Sequence, residues 1–105
     1  MSVSLMLRHN LTGECREIPV ATERGFREGW LPVCQQLCLQ LVPMFSGGAL
    51  TSLPPDLIPA IVRELKAMRS ALGAEPESAW IVEQIDAILT ALTETDPAEW
   101  EYSFG

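Results

Sequence analysis

The segment Trp100-Glu101-Tyr102-Ser103-Phe104-Gly105 alternates aromatic and polar residues. Successive side chains of a strand point to opposite faces, so three aromatics in phase call for a sheet with one dry face and one wet face. Such a strand is useless alone. The rest of the chain must supply neighbouring strands and an apolar layer to cover the rings, and the chain is expected to stop inside its fold. With 105 residues, 48% of them hydrophobic, a single core forms without metal or disulfide, burying roughly 60–68% of the unfolded surface. Residues 1–105 therefore read as one domain.

The partner strands lie at the other end of the sequence. Val3, Leu5 and Leu7 fall on one face of an extended segment, and Ile18 and Val20 do the same after a polar start. Between them His9-Asn10-Leu11-Thr12-Gly13 supplies turn residues, with Gly13 free to take positive φ, which predicts an antiparallel hairpin. Thr22 then caps a helix, with Glu23 in its first turn. Phe26, Trp30, Val33 or Cys34, Leu37 and Leu41 recur at helical spacing. Pro32 lacks the amide that would bond residue 28, so this helix must kink or restart there.

Leu39 to Phe45 fits either the tail of that helix or a short buried strand, and we expect the strand. Ser46-Gly47-Gly48 breaks the chain. Ile58, Ile61, Leu65, Met68 and Leu72 then form one helical stripe, with Pro59 in the first turn and Gly73 as terminator. Ile81, Ile85, Ile88 and Leu92 form another, widened by Val82 and Leu89, and the short link Gly73 to Pro76 makes the two a helical hairpin. The resulting expectation is an α+β fold: a single small sheet of three or four strands covered on one face by about three helices, in the order β-β-α-(β)-α-α-β. The strands are the amino-terminal hairpin, the carboxyl-terminal strand and the optional strand near 39–45. Trp100, Tyr102 and Phe104 should face the helices beside Leu5, Leu7, Ile18 and Val20. Ser4, Met6, Arg8, Cys15, Glu17, Glu99, Glu101 and Ser103 should face outward, with Arg8 opposite Glu17 or Glu101.

The net charge is −7 and unevenly placed. Residues 73–105 hold Glu75, Glu77, Glu83, Asp86, Glu94, Asp96, Glu99 and Glu101 and no lysine or arginine. That layout repels nucleic acid phosphates and anionic lipid and attracts a basic protein. No stretch approaches the roughly 18 uninterrupted apolar residues of a membrane span. Three cysteines with no framework spacing point to a reducing compartment, hence to the cytoplasm.

Catalytic chemistry has few places to sit. The one histidine, His9, is the sole base available to a Ser-His-Asp or Cys-His mechanism, and Cys15 lies near it across the hairpin. A neighbouring carboxylate is the other route to a small enzyme. Cys34 and Cys38 stand one helical turn apart, but zinc asks for four ligands and would need His9 and Cys15 as well. The carboxylate pairs Glu99 with Glu101, and Glu83 with Asp86, read as solvent-facing, so neither pair has the contrasting environments that divide acid from base. Ser46-Gly47-Gly48 lacks the spacing of a phosphate loop. No catalytic residue, cofactor or metal is therefore assigned.

Trp80 sits at the start of the third helix, one position off the Ile81 stripe, and is the tryptophan expected to be partly exposed. These features lead to a small acidic, non-catalytic protein-binding module, of the inhibitor or immunity type, whose partner is a basic protein. Its candidate binding residues are Trp80, Glu83, Asp86, Glu99 and Glu101. The alternatives are a homo-oligomeric structural subunit, such as a homodimer joined through an edge strand or Trp80, and the His9 enzyme.

Overall fold

A computed structural model describes residues 2–46, 50–73 and 75–105; the expected break at Gly47-Gly48 and Ala74 of the expected helix link lie outside the described residues. Four strands, β1 (Ser2–His9), β2 (Cys15–Thr22), β3 (Leu50–Leu53) and β4 (Trp100–Phe104), form one antiparallel sheet in the order β2-β1-β4-β3. Three helices cover one of its faces, giving an α+β fold. They are α1 (residues 23–37), α2 (Ile58–Leu72) and α3 (Ala79–Glu94).

The strand phase follows the alternation of side chains. In β1, Val3, Leu5 and Leu7 are buried, while Met6 and Arg8 are exposed. The register sets Leu5 against Ile18 and Phe104, and Leu7 against Arg16 and Tyr102. Arg8 lies opposite Glu101 and Cys15, and Glu17 lies opposite Met6. Gly13 closes the hairpin at φ 72°. An irregularity in register follows Val3, so that Val20 is an extra residue between Pro19 and Ala21. Its side chain enters the core, and with Pro19 it makes β2 a poor template for a further strand.

α1 is not a uniform helix. Thr22 Oγ1 accepts from the Gly25 amide at 2.9 Å, and the chain runs through α-helical Glu23–Gly25, π-helical Phe26–Trp30 and α-helical Leu31–Leu37. The expected disruption at Pro32 thus takes the form of a widened π turn just before it, where Leu31 N–H reaches back to the Phe26 carbonyl. Re-spacing the ladder there makes room for the proline ring and its missing amide. Phe26 and Trp30 stay buried and stacked, with centroids 5.7 Å apart. The buried Trp30 Nε1 finds no hydrogen-bond partner among the described residues.

The expected strand near 39–45 is absent, and Val42–Phe45 forms a 3-10 helix instead. Two causes are visible. Pro43 sits in its first turn, where a proline is tolerated. The Glu64 carboxylate, on α2, accepts from the Leu41 amide at 3.0 Å and the Val42 amide at 3.0 Å, acting as a cap supplied from another element. The fourth strand comes later, at Leu50–Leu53. Phe45 then stacks on Phe104 of β4, with centroids 3.8 Å apart and planes 2° from parallel.

The two long helices match their stripes. Ile58, Ile61, Leu65, Met68 and Leu72 are buried on α2, and Ile81, Ile85, Ile88, Ala91 and Leu92 on α3. No helix among the described residues is long and apolar enough to cross a membrane. At the end of α3, Thr95 Oγ1 lies 2.8 Å from the Ala91 carbonyl and 2.7 Å from the Tyr102 hydroxyl. A carbonyl can only accept, so the threonine proton goes to Ala91 and Tyr102 must donate to Thr95. This bond ties α3 to β4. Burial raises the Tyr102 phenol above its ordinary value.

Cys38, just past α1, takes the left-handed conformation at φ 57°, ψ 38°. The Leu39 amide bonds the Cys34 carbonyl at 2.9 Å and the Cys38 amide bonds the Gln35 carbonyl at 3.3 Å, the paired closure that usually employs glycine at this position. A side chain here is strained by about 1–2 kcal/mol. Cys38→Gly is therefore expected to raise unfolding stability by about 0.5–1 kcal/mol, after allowing for the greater backbone entropy glycine loses, while Cys38→Val lowers it. Denaturant unfolding of the two variants checks both signs, and a less stable Cys38→Gly would contradict the strain.

Candidate functional site

The five residues expected to bind a partner do not share one surface. Trp80 and Glu83 lie on the first half of α3, exposed. Asp86 is engaged by Arg69 of α2 through Arg69 Nε to Oδ1 at 2.6 Å and Arg69 Nη2 to Oδ2 at 3.4 Å. Glu101 lies on the outer face of the sheet opposite Arg8. Glu99 precedes β4 and sets its carboxylate 3.9 Å from His9 Nε2, so the expected Glu99 and Glu101 pair on one strand face is not formed. Among the described residues Glu94 also has a cation, Arg16, at 3.7 Å, whereas Glu75, Glu77, Glu83 and Glu101 have none within 4.0 Å.

Trp80 is 43% exposed, and the covered part of its ring rests on α1. A Cβ placed on Gly29 would come within 2.7 Å of Trp80 Cζ2 and 2.8 Å of Cη2, and one on Gly25 within 3.5 Å of Cη2. Two glycines four residues apart thus make a flat floor for the indole. Their smallness is what lets α3 approach. Glu83 lies three residues after Trp80, the spacing that places side chains on one helical face, and Glu77 lies exposed in the 3-10 turn just before α3. An aromatic ring with a fixed underside and acidic neighbours is the arrangement that anchors interfaces.

The other candidate chemistries separate in space. His9 ends β1 on the helix-facing side, packed edge-on against Trp100 with centroids 5.1 Å apart, and is mostly buried rather than an exposed turn residue. Cys15 pairs with Arg8 on the opposite face, so His9 and Cys15 are not assembled as a base and nucleophile. Cys34 and Cys38 also diverge. Cys34 is buried with its Sγ 3.9 Å from Met68 Sδ, and Cys38 is exposed. Burial, aided by the Glu64 charge, pushes the Cys34 thiol from its ordinary 9.0 up to about 12, which keeps it protonated and inert. Among the described residues no three His, Cys, Asp or Glu side chains gather as metal ligands.

One concave feature has no counterpart in the sequence reading. A groove of about 820 Å³ lies on the outer sheet face, with Met6, Arg8, Cys15, Glu101 and Ser103 on its lining and Pro54, Pro55, Pro97 and Ala98 at its rim. Its strand-borne residues follow from the period-two phase. Its rim could not be read, because β3 and the turn before β4 reach it only through tertiary pairing.

Comparison with known proteins found no matching family model, no matching curated sequence and no matching solved structure. The site therefore rests on its own geometry.

The Trp80 floor makes a double-variant prediction. Gly29→Ala should destabilise the protein by about 1–3 kcal/mol through overpacking. In a Trp80→Ala background the same substitution should cost clearly less, since only Ile81 Cδ1, at 3.3 Å, still crowds the added Cβ and alanine is the better helix former by about 1 kcal/mol. Equal costs in both backgrounds, measured by denaturant unfolding, would show that the ring does not rest on Gly29.

Proposed function

We propose that this chain is a non-catalytic protein-binding module of the inhibitor or immunity type, acting in the cytoplasm on a basic protein partner. The surface that carries this reading is the exposed Trp80 ring on its Gly25 and Gly29 floor, between Glu77 and Glu83. A ring already packed on one side loses little freedom when its other side is covered, so its burial converts efficiently into affinity. The acidic neighbours, without local cations, supply a field that draws a positively charged partner and rejects nucleic acid. Asp86 stabilises the α2–α3 hairpin in this reading and Glu101 contributes only at long range, so neither is a principal contact. Three thiols with no disulfide among them suit a reducing compartment.

The test is quantitative affinity capture with the wild-type chain, Trp80→Ala and the Glu77→Gln, Glu83→Gln double variant, at low and at high salt. A basic protein retained by the wild type should bind Trp80→Ala about 30-fold more weakly, a loss of about 2 kcal/mol. The double variant should bind more slowly and with less salt dependence. A partner indifferent to all three substitutions and to salt would defeat the proposal. A dimer in light scattering that Trp80→Ala dissolves would replace it with self-association.

A further inference from the structure

The His9 ring is the centre of the hairpin tip. Its side chain is 16% exposed, and Nδ1 accepts from the backbone amides of Leu11 and Thr12, each at 3.2 Å. A ring nitrogen that accepts carries no proton, so the neutral imidazole holds its proton on Nε2, the side facing Glu99. Around it, the His9 amide bonds the Glu14 carbonyl at 2.8 Å, the Gly13 amide bonds the His9 carbonyl at 3.1 Å, and the Asn10 amide bonds the Glu99 carbonyl at 2.8 Å. One side chain thus holds the turn shape while the backbone ties the turn to the approach of β4.

Proton uptake at Nδ1 would turn this acceptor into a donor aimed at two donors. Both bonds to Leu11 and Thr12 would break, leaving two exposed amides to water and the turn without the contact that shapes it. The charge itself would be tolerated. Glu99 lies at Nε2; on the same sheet face Arg16, opposite Leu7, is neutralised by Glu94 of α3. Glu14 meets His9 through its backbone, and Arg8, Cys15 and Glu101 belong to the outer face. An added charge that is accommodated, on an atom whose hydrogen bonds are not, leaves the turn rather than the fold as the element that yields.

We propose that protonation of His9 releases the hairpin tip. A proton taken from water onto Nδ1 frees residues 10–14 while β1, β2 and β4 stay paired, and deprotonation restores the turn. Of the released residues, Asn10 lines the outer-face groove, so release changes its wall at that point. The mechanism does not depend on the α3 surface.

Nitrogen-15 NMR of the wild-type protein from about pH 8 to pH 5 tests it. At the upper end the ring should show a bare Nδ1 and a protonated Nε2. On acidification the Leu11 and Thr12 amide shifts should follow the ring's own titration curve. Protection of both amides against exchange, corrected for intrinsic rates, should fall about tenfold or more, while β1 and β4 amides hold. In His9→Phe, which keeps a ring against Trp100, the response of residues 10–14 should vanish. A ring proton on Nδ1 at the upper end, or Leu11 and Thr12 amides that stay fixed while the ring titrates, would overturn the proposal. The wild-type titration decides the matter alone if His9→Phe does not fold.

Discussion

The pairing of β4 with β1, sealed by the Phe104 ring on Phe45, is the contact on which the remaining structure depends. β1 is flanked by β2 through a short hairpin, a local connection. Its other edge is completed only when β4 returns from about ninety residues away, and reciprocal bonds between Ser4 and Gly105, each 3.1 Å, run the ladder to its end. Inside, Phe104 stacks on Phe45, Phe45 approaches Phe26 at 6.4 Å and Phe26 stacks on Trp30. That chain of rings joins β4, the 3-10 turn and α1. The Phe26–Trp30 and Phe26–Phe45 pairs each add about 0.5–1.5 kcal/mol beyond burial, while Phe45 and Phe104 contribute through the apolar surface they bury. Tyr102 adds the bond to Thr95 that fixes the end of α3, so β4 touches every layer.

The elements whose pattern is local were legible in the sequence. The phases of β1, β2 and β4, the cap at Thr22 and the stripes of α2 and α3 depend on residues that neighbour one another along the chain. Elements shaped by distant groups were not. Val42–Phe45 is helical because Glu64, some twenty residues away, caps it, and nothing in Leu39 to Phe45 encodes that partner. His9 reads as a loop residue by composition, yet its ring is drawn inward by Trp100. Cys34 and Cys38 share a helical spacing, but the helix ends at Leu37 and Cys38 is itself left-handed, so their side chains part.

The same layering sorts the candidate site. Acidic residues that form a single run in sequence are divided by the fold between α3, the turn before β4 and the outer sheet face. Arg69, Arg16 and His9 each take one of them. What survives as a surface with its own character is Trp80 with Glu77 and Glu83. It was only half legible: the indole's exposure could be read from its offset to the Ile81 stripe, whereas its seat on Gly25 and Gly29 required the packing of α3 on α1.

Native-state hydrogen exchange tests the central role of β4 most directly. The Ser4 and Gly105 pair exchanges both bonds, and the antiparallel alternation places the next such pair at Met6 and Ser103. If β4 closes the fold, the Met6 and Ser103 amides exchange only by global unfolding, as slowly as those of Leu65 in α2 and Ile88 in α3. Exchange of Ser103 at the rate of a frayed end, with Leu65 and Ile88 still protected, would show that the fold stands without its aromatic strand.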